Sequence, residues 1–249
     1  MQVVALWCHP VKSMVGWSPP TSAVGSDGLV GDRHWAVRDD ETGRFLTARR
    51  EPALLQARAT NDGADAVHLH LPGRPVCTVA TGDEDARGRA DDELCRWLGR
   101  PVSLVEARAD LAGTYEVPLD AEREADWVSW EGPAGRFHDS TRSSVSLVTT
   151  GSLRDWAPAR FRTNVVLAGE DGDEDALVGS HVRLGSAVVE VTKRIDRCVM
   201  VTRPQLDGIV RDLDVLRTVN RERDRCLAVG ALVVTPGTVA CGDHVVVDG

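Results

Sequence analysis

His34-Trp35-Ala36-Val37-Arg38, then Asp39-Asp40-Glu41-Thr42-Gly43, then Phe45-Leu46-Thr47-Ala48-Arg49-Arg50, is the stretch that decides the fold. Two short runs of β-prone residues flank a polar turn with glycine at its tight position, which is the pattern of a hairpin. The same grammar extends outward. Residues 2–8 form a β-rich run, residues 66–71 alternate and stop at Pro72-Gly73, and residues 145–149 and 161–168 read as strands. Residues 181–190 hold a second hairpin around Leu184-Gly185-Ser186, and residues 231–235 and 244–247 read as closing strands joined through Pro236-Gly237. Helices are few. Residues 83–98 place Leu94, Trp97 and Leu98 on one face, with Gly99 and Pro101 as the stop. Residues 151–156 suit a short helix, and residues 212–221 a longer one with Leu213, Leu216 and Val219 on one side. Residues 108–144 lack clear periodicity and read as a junction, and the acidic run 170–175 as a solvated surface turn. These features predict a mainly β (α+β) protein with barrel-like or sandwich-like packing, divided into residues 1–120 and 121–249.

Composition narrows the function classes. The 249 residues carry a formal charge of −9, and such a field repels phosphate backbones, so nucleic acid is not an expected partner. No apolar run reaches the length of a membrane span, and the opening residues read as a strand and not a signal peptide. Six cysteines occur with no CxxC pair, as in a cytoplasmic protein with reduced thiols.

One thiol stands out. Lys193-Arg194-Ile195-Asp196-Arg197-Cys198-Val199-Met200 sets Cys198 among three cationic side chains. Nearby positive charge favours a thiolate over a thiol, and a thiolate ligates a metal or attacks an electrophile. The bland alternative is a half-buried cysteine on a strand whose basic neighbours face water. Pro10-Val11-Lys12-Ser13 pairs a point charge with a hydroxyl, which suits a phosphate or an ordinary surface lysine. In Gly28-Leu29-Val30-Gly31-Asp32-Arg33-His34-Trp35, Arg33 can fork onto a phosphate or simply pair with Asp32. Arg162 and Asn164, two apart in Phe161-Arg162-Thr163-Asn164, would share one side of a strand, as ligands or as a polar sheet face.

Together these clusters resemble the MOSC-domain proteins, in particular those similar to the mitochondrial amidoxime-reducing component. The family pattern Y-P-V-K-S, G-x-x-x-D-R-x-W and T-A-R-x-x-P stands here as His9–Ser13, Gly28–Trp35 and Thr47-Ala48-Arg49-Arg50-Glu51-Pro52. The pattern F-R-P-N, S-R-C and P-G-x-(I/V)-x-x-G-D stands as Phe161–Asn164, Asp196-Arg197-Cys198 and Pro236–Asp243. The resemblance spans nearly the whole chain. It implies an N-terminal β-barrel domain packed with a MOSC β-barrel domain, and a molybdenum–molybdopterin cofactor with Cys198 as the metal ligand. It further implies cofactor contacts from Lys12, Ser13, Arg33 and Arg162, joined by Asn164, Arg197, Asp139 and Ser140. The implied activity is an oxidoreductase that reduces N-hydroxylated compounds. No cysteine cluster of ferredoxin type follows Asp243, so electrons are expected from a separate flavin plus iron–sulfur or haem protein.

Two positions depart from the pattern. Asp196 stands where the reductase relatives have serine, beside the ligand, and is a candidate proton relay; Thr163 replaces a proline. The alternatives are a non-redox carrier of the cofactor, a carrier of sulfur on Cys198, or a scaffold that has lost the cofactor. Other chemistry is poorly supported. His68 and His70 have no third ligand at metal spacing, and no P-loop, GxSxG or HExxH motif occurs. Trp17, Trp127 and Trp130 fall in irregular segments where they would be free to line a pocket.

Overall fold

The computed structural model describes residues 1–120 and 125–248. Strands dominate, as expected. The largest sheet runs Val3–Leu6, Val165–Leu167, Val145–Thr149, Cys226–Thr235, Ala187–Asp196, His181–Leu184 and Val245–Asp248. A bridge between Gln2 and His244 brings its two edges together, so the sheet nearly closes into a barrel. Leu6, Leu147, Val165, Leu167, Val189 and Val229 fill its interior, each fully buried. Burying one such side chain is worth about 1.5–3 kcal/mol, so this apolar lining is a principal source of stability. The first strands of the chain belong to this half: Thr21–Gly25 also pairs with Gly237–Ala240.

The remaining strands make a second core. Arg58–Asp62, Ala66–His70 and Cys77–Ala80 form one sheet, and Trp35–Asp39 pairs with Val102–Glu106. Helix Glu84–Leu98 covers them. The Asp83 side chain accepts from Ala86 N at its start, and Gly99 ends it in the left-handed conformation, φ 71°. Ala86, Ala90 and Leu94, four residues apart, are its buried stripe. No helix among the described residues is long and apolar enough to cross a membrane.

Four expectations are corrected. Residues 108–144 are not an irregular junction throughout, because Arg108–Asp120 and Ala125–Gly135 pair as a long antiparallel ribbon. Register shifts between Glu131 and Gly135, together with glycines and prolines, disguise its alternation. The run 161–168 is a strand only over Val165–Leu167. Pro158–Phe161 is a 3-10 turn, and Arg162 has φ 55°, which no strand accommodates. In the opening hairpin, Phe45 bridges Arg38, but the chain then leaves the sheet and turns at residues 47–50. Last, the acidic run 170–175 is solvated only in part: Glu170, Asp171 and Asp173 are exposed, but the run also carries a buried charge. Glu174 is fully buried and meets Arg223 Nη2 at 3.0 Å, Thr149 Oγ1 at 2.7 Å and Ser152 Oγ at 2.8 Å.

Candidate functional site

A pocket of about 260 Å³ opens where the two halves meet. Lys12, Ser13, Arg33, Thr47 and Arg49 reach it from the first half, and residues 138–146, 161–164 and 193–201 supply the other wall. Every candidate cofactor or catalytic residue lines it: Lys12, Ser13, Arg33, Asp139, Ser140, Arg162, Asn164, Asp196, Arg197 and Cys198. Trp17, Trp127 and Trp130 do not. Trp17 Nε1 donates to Asn61 Oδ1 at 2.7 Å, Trp127 lies under Arg50, and Trp130 packs on Tyr115.

Three pocket residues hold left-handed backbone without being glycine: Ser13 (φ 69°), Arg33 (φ 49°) and Arg162 (φ 55°). Such conformations cost on the order of 1 kcal/mol each and persist where the surroundings dictate them. The surroundings do so here. Ser13 Oγ accepts from Ala48 N at 2.9 Å, Arg33 Nη2 donates to the Arg162 carbonyl at 3.0 Å, and the Arg162 guanidinium donates to the carbonyls of Met14 and Val11. The loop carrying Lys12 and Ser13 is thereby tied to the opposite half.

These bonds divide the basic residues by role. Arg33 is paired with buried Asp32. Arg197 is committed to the carbonyls of Leu227 (2.7 Å) and Phe161 (2.9 Å). Burial pushes Arg162 down to about 9 and Arg197 to about 10, with Arg33 adding repulsion, so both stay cationic at neutral pH. Asn164 spends its side chain on Ser146 and on the Trp7 carbonyl. Arg162, Asn164 and Arg197 build the wall, and Arg33 adds to its field. Lys12 is different. It is 5% exposed, donates to the Phe137 carbonyl at 3.0 Å and meets Asp139 at 2.7 Å, and its ammonium lies 4.5 Å from the Tyr115 ring centre. Burial pushes Lys12 down, while Asp139 opposes the shift. The Asp139 side chain is 81% exposed, so desolvation raises its carboxyl little, and Lys12, Arg33 and Arg49 hold it well below the usual carboxylate range.

The cation beside Cys198 comes from elsewhere in the chain. Arg194 turns away to Asp175 and the Arg223 carbonyl. Arg49 instead places Nε 3.3 Å from Cys198 Sγ, across 149 positions of sequence. Only the T-A-R motif hinted at it. Asp196, exposed at the end of its strand, marks the rim.

Six cations face two carboxylates here, in a chain whose net charge is −9. The lining also contains a fully enclosed hydroxyl, Ser144 Oγ, without a protein partner. Among the described residues no three His, Cys, Asp or Glu side chains converge to hold a bare metal ion. The donor set therefore suits an anionic, hydrogen-bond-rich group, with one cysteine sulfur in the lining available as a metal ligand.

Known protein families match both halves of the chain. Residues 1–109 match the MOSC N-terminal beta barrel domain and residues 133–246 the MOSC domain. The chain is similar to molybdenum cofactor sulfurase of Drosophila grimshawi, with 25% identity over 284 residues, covering 99% of this chain and 34% of that protein. It thus spans about a third of the sulfurase's length. It is equally similar to mitochondrial amidoxime-reducing component 1 of Homo sapiens, with 25% identity over 288 residues, covering 98% of this chain and 82% of that protein. Among solved structures, the YuaD protein of Bacillus subtilis aligns with a TM-score of 0.43 and 12% identity over 98% of this chain and 93% of that one.

Proposed function

Because this chain belongs to the MOSC-domain family, with a MOSC N-terminal β-barrel domain ahead of its MOSC domain, we propose that the pocket holds a molybdenum cofactor and that Cys198 is the protein ligand to its metal. The observation that carries this reading is the convergence of Lys12, Arg33, Arg49 and Cys198 from distant segments on one pocket of opposite sign to the rest of the protein. Lys12, Ser13 and Arg33 would hold the anionic end, with Asp139 and Ser140 on the facing wall, while Arg162, Asn164 and Arg197 fix that wall in place. The chain acts as an oxidoreductase on N-hydroxylated compounds, R–NHOH + 2e⁻ + 2H⁺ → R–NH₂ + H₂O, with electrons from a separate donor protein. When bound, the cofactor supplies the two-electron redox centre.

The protein's own contribution is orientation and charge. Arg49 holds the Cys198 sulfur from the side of the first half, so the ligand is fixed only when both halves are docked. Asp139, kept ionised by Lys12, Arg33 and Arg49, is a poor acid and serves to place Lys12. Asp196, at the water-facing rim, is the carboxylate positioned to pass protons inward. The relation to sulfurases keeps one other reading in view, delivery of the cofactor or of sulfur through Cys198 without turnover.

The test is reduction of a hydroxylamine and an amidoxime by cofactor-loaded protein with a chemical reductant. The reductase reading expects stoichiometric amine or amidine, lost in Cys198→Ala. Loaded protein without turnover on either compound would favour the carrier.

A further inference from the structure

Of the 29 basic residues in this chain, only Lys12 and Lys193 are lysines, and both line the same pocket. Everywhere else the chain uses arginine. Arginine offers a planar fork, whereas lysine is a compact point charge on a flexible stem with three rotatable donors. Two of the three Lys12 donors go to Asp139 and the Phe137 carbonyl. The Lys193 ammonium has no hydrogen-bond or ion-pair partner among the described residues, although the side chain is half-buried in the pocket wall.

The surroundings of Lys193 are built. Its neighbour Thr192 donates through Oγ1 to the Arg142 carbonyl, and Arg142 Nη2 returns a bond to the Thr192 carbonyl at 3.1 Å. This mutual clasp lays the serine-rich segment 140–146 alongside the strand that carries Lys193. Gly230, the cross-strand partner of Lys193, permits the approach: a Cβ there would fall 2.5 Å from Ser143 Oγ. Ser143 and Ser144 both line the pocket. Ser144 is 8% exposed and its hydroxyl has no partner, while Ser143 Oγ makes only a local 3.3 Å bond to the Val145 carbonyl. A free ammonium with one unpaired and one weakly engaged hydroxyl is a donor set that an oxyanion would satisfy.

We infer that Lys193, with Ser143 and Ser144, forms an oxyanion subsite, set apart from Cys198 along the strand 187–196, that takes the phosphate or carboxylate of a small molecule bound in the pocket. Whether that group belongs to the cofactor or to the substrate rests on the function proposed above; the subsite itself does not.

Its test exploits the scarcity of lysine. Cofactor-free full-length protein is treated with an amine-acetylating reagent, and Lys12, Lys193 and the amino terminus are resolved by peptide mass spectrometry. Lys193 is expected to react faster than Lys12. Inorganic pyrophosphate should protect it, and chloride at equal ionic strength should not. Calorimetric pyrophosphate affinity should fall about tenfold in Lys193→Met, the loss of one charge-assisted contact, and largely return in Lys193→Arg. Slow acetylation of Lys193 without pyrophosphate, labelling that pyrophosphate leaves unchanged, or equal affinity in Lys193→Met would each overturn the subsite. A second arm uses cofactor-loaded protein. Protection by loading alone assigns the anion to the cofactor. Labelling that persists and is blocked by added carboxylate or phosphate assigns it to the substrate. Because the first arm contains no metal, a failed molybdenum reading leaves its outcome intact.

Discussion

Replacing Arg223 with alanine would strip the charge partner from Glu174, which has no exposed surface. In the native protein the guanidinium meets Glu174 at 3.0 Å and Asp175 at 3.1 Å, and also reaches Asp171 and Ser152. The variant keeps the Thr149 and Ser152 hydroxyls on Glu174 but leaves a carboxylate buried without a cation. Breaking a buried pair in this way costs about 3–5 kcal/mol. For a chain of this size that is a fall in Tm of roughly 6–20 °C. Thermal and urea unfolding followed by circular dichroism at pH 7 would measure it. Arg217→Ala, which breaks an exposed pair with Asp214, is the control and should cost no more than about 0.5 kcal/mol. Adding Glu174→Gln to Arg223→Ala should recover part of the loss, since an amide is cheaper to bury than a carboxylate. If Arg223→Ala matches the surface control, Glu174 does not depend on Arg223 for its charge and the buried-pair reasoning fails.

Other outcomes follow from the same contacts. Burial, then the nearby Arg33, pulls His138 down to about 4, below the ~6.5 of an unfolded histidine, so stability is full above pH 6.5 and drains as pH falls toward 4, by on the order of 3 kcal/mol. His138→Gln should flatten that limb of a stability–pH curve; an unchanged limb would assign it to another group. Asp139 is depressed, so its contribution is present above the unfolded value near 3.9 and is lost as pH falls below it. Asp139→Asn should therefore be less stable than wild type at pH 7 and converge with it at strongly acidic pH in denaturant titrations, and a constant difference across pH would count against the Lys12 pairing. Gly28 has φ 106°, and a Cβ would lie 2.4 Å from the Ser144 carbonyl oxygen. Gly28→Ala should destabilise by ~2 kcal/mol or more, read by urea midpoint, whereas Gly43→Ala, with open space around it, should pay mainly for its backbone conformation.

Much of the fold was legible because local rules and global packing agree. Gly43, Gly73 and Gly185 all adopt positive φ at the turns their sequence context marks, and Asp83 and Gly99 bound the one long helix. The site was legible in its ends, Lys12 and Cys198, and less so in its middle. Arg49 gains its meaning from a sulfur 149 positions away, and Lys193 from a serine loop that Thr192 and Arg142 pull alongside it. No periodicity records such contacts. The acidic run 170–175 misled for the same reason: its partner, Arg223, lies about fifty residues on. The ribbon escaped notice because its register shifts break the alternation that marks a strand.

Cys198 is proposed above as the sulfur ligand to molybdenum in this pocket. X-ray absorption at the molybdenum edge, on protein co-expressed with cofactor biosynthesis, tests it directly when wild type and Cys198→Ser are compared. Near-stoichiometric metal is expected in the wild type, with one fewer sulfur around molybdenum in the variant. Metal-free wild-type protein under those conditions, or identical sulfur coordination in the two proteins, would contradict it.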